Sequence, residues 1–208
     1  MLVGGMPLAV NAYLKNKSFE DVEFEKKQIL NLYREDINKF GEKEKIKAKL
    51  VFDAIPTQLQ QKSKRLKYNS IKKNTRSIDY DNAIIFLKES MMVNNCNNVS
   101  DPSFPLALSE VAEDKKCYLL DTGLLISECL GAKKYIESEI YKKIITDKLY
   151  INEGMFVENV VAQALRLKQD KLFYFKKVDQ ENKDNNMEID FLVEREGKIS
   201  PIEVKSSV

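Results

Sequence analysis

Asp190 and Glu203 are candidates for chemistry, because the pattern around them predicts two carboxylates side by side. The segments "EIDFLVER" and "ISPIEVKSS" alternate polar and apolar residues, which is typical of a β-hairpin with one buried face. A two-residue turn at Glu196–Gly197 sets a register in which Asp190 lies opposite Glu203. The same register places Glu188 opposite Lys205. The hairpin therefore brings three carboxylates and a lysine to one face.

Opposed carboxylates on neighbouring strands need compensation. At a separation of ~5 Å and an effective dielectric constant of ~20, two carboxylates repel by ~3 kcal/mol. A hard divalent cation with oxygen ligands would remove that repulsion. Lys205, two residues after Glu203, would add a positive charge near whatever the metal binds. This set of groups favours metal-assisted phosphodiester hydrolysis. The alternative is a surface hairpin whose charged face is solvated.

The other face of the hairpin is expected to be apolar. Strict alternation predicts that one surface is shared by Ile189, Phe191, Val193, Ile202 and Val204. Burial of that surface would hold the register.

Composition excludes several classes of enzyme. The chain of 208 residues has no histidine, which excludes Ser-His-Asp and Cys-His catalysis and disfavours zinc. No G-x-x-x-x-G-K-[ST] loop is present, so no P-loop nucleotide site is expected within it. Cys96, Cys117 and Cys129 are not in metal-ligand spacing, and we interpret them as reduced thiols of a cytoplasmic protein. No apolar run is long enough to cross a bilayer, so we expect no membrane partner.

The N-terminal half is predicted to be helical before it becomes a β-ribbon. Residues 18–49 have helical periodicity, which Gly41 interrupts, and Pro56 is expected to stop the second helix. Asp79 is expected to cap a further helix, "DYDNAIIFLKES". "MMVNNC" and "KCYLLD" then read as strands on either side of a proline-containing loop. This order is typical of a winged helix-turn-helix.

A basic segment lies inside this region and is hidden by the nearly balanced net charge of +2. Residues 57–78 contain no acidic side chain and seven basic ones, which are Lys62, Lys64, Arg65, Lys67, Lys72, Lys73 and Arg76. We predict that these side chains neutralise nucleic-acid phosphates beside a basic helix. The alternatives are a packing domain whose lysines only add solubility, and a protein-docking module.

The C-terminal region is predicted to run helix, strand, strand, strand. In "NEGMFVENVVAQALRLKQ" an apolar stripe is expected to include Phe156, Val157, Val160 and Val161, with Glu158 at its edge. "KLFYFKKV" follows as a strand and precedes the hairpin.

These residues resemble two related signatures. "EN-x-V-A" at Glu158, "EIDF" at Asp190 and "IEVK" at Glu203 and Lys205 are similar to the PD-(D/E)xK nuclease-like signature. More specifically, "GGMPLAV", "YREDINKF", "DTGLL", "GMFVENVVAQAL" and "IEVKSS" resemble the C-terminal half of a family of prokaryotic AAA+ ATPases. Those proteins join a P-loop ATPase core to a winged helix and a nuclease-like domain.

The resemblance implies an α/β (α+β) fold in three parts. Residues 1–40 would end the AAA+ lid and its linker helices, 41–120 would form the winged helix, and 121–208 would form a restriction-endonuclease-like domain truncated at its C-terminus. The P-loop, and with it ATP, would belong to an upstream domain of the full-length chain. That domain would be a partner within the same chain, and the ATPase could form oligomers.

The resemblance also implies a site. Glu158, Asp190, Glu203 and Lys205 would be the catalytic set, with Asp190, Glu203 and Glu158 as ligands of Mg²⁺ or Mn²⁺ and Lys205 orienting the attacking water. The expected function is that of a nucleic-acid-binding module with a metal-dependent phosphodiesterase site. The alternative is a non-catalytic DNA- or protein-binding module that regulates or targets the ATPase.

Overall fold

A computed structural model describes residues 1–131, 153–169, 171–179, 181–182 and 186–206. The described helices are α1 (Pro7–Asn16), α2 (Phe19–Lys39), α3 (Glu42–Gln60), α4 (Tyr68–Ile71), α5 (Asp81–Glu89), α6 (Thr122–Leu130) and α7 (Glu153–Arg166). The strands are β1 (Val93–Val99), β2 (Glu110–Leu119), β3 (Leu172–Lys177), β4 (Met187–Arg195) and β5 (Lys198–Ile202).

All five strands of the described chain form one mixed sheet in the order β2-β1-β3-β4-β5. β1 pairs with β3 in parallel, and the other pairs are antiparallel. The β1–β2 ribbon, which we expected to be a wing, therefore continues the same sheet as the C-terminal strands. The mixed α/β class is confirmed, and the sheet crosses the boundary predicted at residue 120.

The two long helices are separated as predicted at Gly41, which is the N-cap residue of α3. The expectation that Pro56 ends this helix is wrong, because α3 continues to Gln60. Its last turn is anchored by burial of Leu59 and by the Gln58 side chain, which accepts a hydrogen bond from the Lys67 amide. Tertiary contacts thus outweigh the hydrogen bond that proline removes from a helix interior.

The basic segment is mostly irregular. After the last turn of α3, which ends at Gln60, its one α-helix is the four-residue α4, so the basic helix predicted there is wrong. Asp79 does not cap α5, which begins at Asp81 after Tyr80. Instead the Asp79 carboxylate accepts a hydrogen bond from the Arg76 amide and closes a short 3₁₀ turn, Ser77–Tyr80.

The C-terminal hairpin has the predicted turn, with Glu196 and Gly197 both at positive φ (52° and 73°). Its register runs from Arg195 opposite Lys198 to Phe191 opposite Ile202, as expected.

The predicted apolar face of the hairpin is confirmed only in part, because Phe191, Ile202 and Val204 pack together with the main core and Ile189 does not. The register between β3 and β4 shifts around Tyr174, so that strict alternation breaks between Ile189 and Leu192. Phe191 packs in the main core, whereas Ile189 packs in a second cluster on the sheet. As a result, Asp190 and Phe191 both reach the neighbourhood of Tyr118 and Lys116.

Two hydrophobic clusters cover the sheet. The larger one joins the helices to the sheet and includes Leu30, Phe52, Ile55, Leu87, Tyr118, Leu124, Phe156 and Phe191. The smaller one consists of Val99, Leu106, Phe173, Phe175 and Leu192. No helix among the described residues is both long and apolar enough to pass through a membrane.

The N-terminal segment is docked on the start of α6. The Asp121 side chain accepts hydrogen bonds from the Leu124 amide at 3.0 Å and from the Gly5 amide at 2.6 Å. Buried Lys26 donates to the backbone oxygen of Gly123 at 3.3 Å. Two of the fragments that carried the family resemblance, "GGMP" and "DTGLL", therefore contact each other.

Because the thiols of Cys96 and Cys117 are buried, we predict that the free energy of unfolding falls at alkaline pH. Burial raises the pKa of the Cys96 thiol well above its ordinary value of 9.0 and raises that of Cys117 to about 12. A raised folded-state pKa gives stability that is fully present below the unfolded-state pKa and is lost as pH rises above it. We therefore expect the free energy of unfolding to fall by about 1–2 kcal/mol between neutral pH and roughly pH 9.5.

Urea unfolding at several pH values measures this loss. The Cys96→Ala/Cys117→Ala variant should lose most of the decline, even if its stability is lower throughout. Cys129 lies at the surface, but burial of its thiol and the charge of Glu128 raise its pKa to about 11. Cys129→Ala should therefore remove only one thiol's share of the decline and keep the contribution of the two buried thiols. An unchanged slope in the double variant would contradict the assignment.

Candidate functional site

Helix α7 buries a polar pair at its centre. Glu158 and Asn159 are buried together with Met155, Phe156 and Ala162, whereas Val160 is exposed. The buried face of α7 is therefore rotated relative to the apolar stripe predicted from the sequence. Glu158 lies within that buried face and not at its edge. The Asn159 side chain donates to Leu119 O at 3.2 Å and to Thr122 Oγ1 at 2.9 Å. These bonds fix α7 to the junction between β2 and α6.

Lys116, in β2, lies among three carboxylates. Its Nζ atom is 3.3 Å from Glu158 Oε1, 3.4 Å from Glu188 Oε1 and 3.6 Å from Asp190 Oδ1. The Lys116 side chain is 0% exposed and that of Glu158 is 1% exposed. Glu158 comes from α7 and the other two acids come from β4, so three elements converge on one ammonium group.

Two further lysines complete this group of six charges, which we call the Lys116 cluster. Lys64 pairs with Glu158, and Lys176 pairs with Glu188. The Tyr118 hydroxyl also donates to Glu158 Oε1. Three ammonium groups thus balance three carboxylates, and the buried acid at the centre is hydrogen-bonded on both oxygens.

Lys116 stays charged despite its burial. Desolvation by itself would lower the pKa of Lys116, but the nearby Glu158, Glu188 and Asp190 carboxylates outweigh it and raise the pKa above its ordinary value. Burial, followed by the charge of Glu158, raises the pKa of Tyr118 well above its ordinary value, so its hydroxyl remains a donor. At neutral pH Lys116 is therefore an ammonium ion and Tyr118 keeps its proton.

Asp190 connects this cluster to the part of the chain that holds the other two predicted catalytic residues, Glu203 and Lys205. Asp190 Oδ2 accepts a hydrogen bond from the Val204 amide at 3.0 Å, which ties β4 to the chain that follows β5. Because β5 ends at Ile202, Glu203 lies just beyond the strand and is exposed, as is Lys205. The structure therefore brings Glu158 and Asp190 together at Lys116 and leaves Glu203 and Lys205 at the surface.

The donor set does not fit a divalent metal ion in this arrangement. A Mg²⁺ or Mn²⁺ ion would need oxygen ligands that converge on an open position. The acids that do converge, Glu158, Glu188 and Asp190, share Lys116 as their cation. Within the described ranges, no group of three or more acidic or cysteine side chains has the geometry of a metal site.

The basic segment divides into buried and exposed parts. Lys64 binds Glu158, and Arg65 donates to Asp114 Oδ2 at 2.8 Å. The other five cations, Lys62, Lys67, Lys72, Lys73 and Arg76, are exposed. Only part of the predicted nucleic-acid surface is therefore available to a ligand.

A cleft of about 610 Å³ opens beside these cations. Lys67 and Arg76 line it together with Arg65 and Tyr68. Arg65 Nε and the Tyr68 hydroxyl are buried and have no hydrogen-bond partner within the part of the chain that the structure describes. Burial raises the pKa of Tyr68 far above its usual range, so its hydroxyl is a neutral donor.

Sequence reasoning missed Lys116 and Tyr118, and it misplaced Glu188. One signal was available, because Lys116 and Tyr118 are two residues apart in a strand, so both point to the same face. A lysine on the buried face of a strand requires an acidic partner. That partner could not be identified without the tertiary fold.

Two family models match the chain. The model described as Domain of unknown function (DUF8612) matches residues 1–134, and the one described as Domain of unknown function (DUF4143) matches residues 153–208. No curated protein matches the sequence, and no solved structure matches it. The Lys116 cluster draws Lys64 and Lys116 from the first matched segment, and it draws Lys176 and the three acids from the second.

Proposed function

Because the chain belongs to the family described as Domain of unknown function (DUF8612), we propose a function from its own surface: it is a nucleic-acid-binding module. The single observation that carries the proposal is the exposed part of the basic segment. Its five cations make no ion pair with an acidic side chain in the described part of the chain.

Unpaired cations at this density are suited to a polyanion. Each phosphate that a lysine or arginine neutralises releases a counterion, which is the main source of non-specific affinity for nucleic acid. Lys67 and Arg76 also line the cleft, where Arg65 Nε and the Tyr68 hydroxyl are donors without partners. Phosphate oxygens are acceptors that match such donors.

The module is expected to hold nucleic acid without reading its sequence. The helix before the ribbon, α5, exposes Asn82, Ile85, Lys88 and Glu89, a face without net charge. The exposed basic residues lie instead outside the helices, and two of them, Lys67 and Lys72, flank the one-turn α4. Backbone contacts of this kind fix position and carry no direct sequence information.

The partner of this module is proposed to be an ATPase. The C-terminal match is to a domain type that is associated with AAA proteins. An AAA+ domain in the same full-length chain would bind ATP, and the present segment would deliver it to nucleic acid or regulate it there. Any oligomer would form through the ATPase.

The Lys72→Glu/Lys73→Glu variant tests the proposal. We expect it to weaken duplex DNA binding by at least about tenfold near physiological salt, because it removes two phosphate contacts and adds two negative charges. The slope of log affinity against log salt should become shallower by about 2. Fluorescence anisotropy across a salt series measures both quantities.

The matched control changes the same total charge elsewhere. Lys15→Glu/Lys43→Glu alters two exposed lysines of α1 and α3. It should change the salt slope much less than the variant in the basic segment. Equal losses would show an effect of net charge alone, and the absence of DNA binding by the wild type would favour protein docking.

A metal-dependent phosphodiesterase is the second candidate. One observation favours it, which is that α7 and β4 bring Glu158 and Asp190, two of the four predicted catalytic residues, to one site, although the Lys116 ammonium now lies between them. This function requires Mg²⁺ or Mn²⁺ held by Asp190, Glu203 and Glu158, with Lys205 nearby. It therefore predicts that the wild-type chain takes up the metal and that Asp190→Asn abolishes the uptake.

A further inference from the structure

Lys116 occupies the place that a metal ion would need. We infer that Lys116 is the resident counter-ion of Glu158, Glu188 and Asp190, and that its ammonium group keeps divalent cations away from them. This inference is independent of nucleic-acid binding by the basic segment. It also separates the two candidate functions, because only the phosphodiesterase needs a metal.

The distances leave no separate position for a second cation between the three acids. Lys116 Nζ is within 3.6 Å of an oxygen of each one. A Mg²⁺ or Mn²⁺ ion bound to the same oxygens would require a metal–oxygen distance of about 2.0–2.2 Å, and so would share the space of the ammonium. Two cations at such a separation repel strongly where water does not screen them.

The Lys116 side chain is held in this position along its whole length. It is fully buried in β2, and its ammonium lies 4.8 Å from the centroid of the Tyr174 ring. Cys96, which is buried, is its cross-strand neighbour. An exposed lysine could swing into solvent to admit a metal, whereas Lys116 would have to leave the core.

Removal of Lys116 should leave the acids in place, because each one keeps another partner. Glu158 keeps Lys64 and Tyr118, and Glu188 keeps Lys176. Asp190 keeps the Val204 amide. Lys116→Met is therefore expected to fold and to present three acids around an unfilled space. The nearest acid oxygens lie 3.3, 3.4 and 3.6 Å from the position of Lys116 Nζ, and they would have to close in to about 2.0–2.2 Å to bind a hard divalent ion.

Calorimetric titration with Mn²⁺ tests this inference on the full chain. The wild type should take up no Mn²⁺ over the titrated range, and Lys116→Met should bind Mn²⁺ with an affinity at least about tenfold above the weakest that the titration detects. Lys176→Met is the matched control, since it removes a lysine from the rim of the same cluster and leaves Lys116 in place. It should behave like the wild type. Lys116→Met/Asp190→Asn should lose the affinity that Lys116→Met gained.

Each possible result either supports or overturns the inference that Lys116 keeps divalent cations away from the three acids. Uptake of Mn²⁺ by the wild type, abolished by Asp190→Asn, would overturn the inference and support the phosphodiesterase. Equal binding by Lys116→Met and Lys176→Met, or no binding by a folded Lys116→Met, would also overturn it. If Lys116→Met is unfolded, refolding on addition of Mn²⁺ would support the inference, and failure to refold with Mn²⁺ would overturn it.

Discussion

We expect Glu158→Gln to lower the free energy of unfolding by about 3–5 kcal/mol. The substitution keeps the shape of the side chain and removes its charge. Lys116 is then left at the centre of the protein with two weaker partners, Glu188 at 3.4 Å and Asp190 at 3.6 Å. Lys64 loses its partner as well. An uncompensated buried charge costs far more than a lost surface pair.

Urea unfolding measures this change. Two further variants test whether it comes from the loss of a buried ion pair. Glu42→Gln removes an exposed acid that pairs with Lys45, and its urea midpoint should not change measurably. Glu158→Leu/Lys116→Met removes both central charges and should recover part of the loss, because neither charge is then left alone. Additive losses in the double variant would contradict the ionic coupling of the two residues.

Gly123→Ala is expected to cost about 3 kcal/mol or more, the upper end of the range for overpacking. A Cβ atom on Gly123 would lie 2.7 Å from both Gly4 Cα and Val3 O. Both are backbone atoms, so no side chain can rotate away to make room. The N-terminal segment would have to leave α6, and the bond from the Gly5 amide to Asp121 would be lost with it.

Limited proteolysis detects this undocking separately from global stability. Trypsin should cleave at Lys15 or Lys17, near the end of α1, faster in Gly123→Ala than in the wild type. Gly41→Ala is the control, because a Cβ atom there meets nothing within 4 Å and its cost should be below about 1 kcal/mol. Equal protease resistance of Gly123→Ala and the wild type would show that the close contact is not required.

The sequence predicted correctly those elements that are determined by neighbouring residues. The hairpin turn at Glu196 and Gly197, its register and the helix break at Gly41 follow from period and turn chemistry. Continuation of α3 past Pro56 does not, because that turn is held by contacts with residues distant in sequence. The register shift opposite Tyr174 likewise has no signal in β4 itself.

The candidate site was predicted only in part, for the same reason. Glu158 and Asp190 were identified from the sequence, and the structure places both at Lys116. Lys116 itself comes from the predicted wing, which no local pattern assigned to the same sheet as β4. The contact between Gly4 and Gly123 is a second case. The sequence around each glycine does not indicate which part of the backbone packs against it.

The parallel pairing of β1 with β3 also sets an order of events on the ribosome. Cys96 pairs with Leu172, and the intervening chain must be synthesised before that pair can form. Until β3 emerges, the nascent β1–β2 ribbon has an open edge, and Lys116 lacks two of its three acids, Glu188 and Asp190, because β4 follows β3 in the chain. If translation stopped before β3, Lys116, which is buried in the folded protein, would be exposed to water. The apolar face of the ribbon would be exposed with it. Such a nascent chain is a substrate for chaperones or for aggregation.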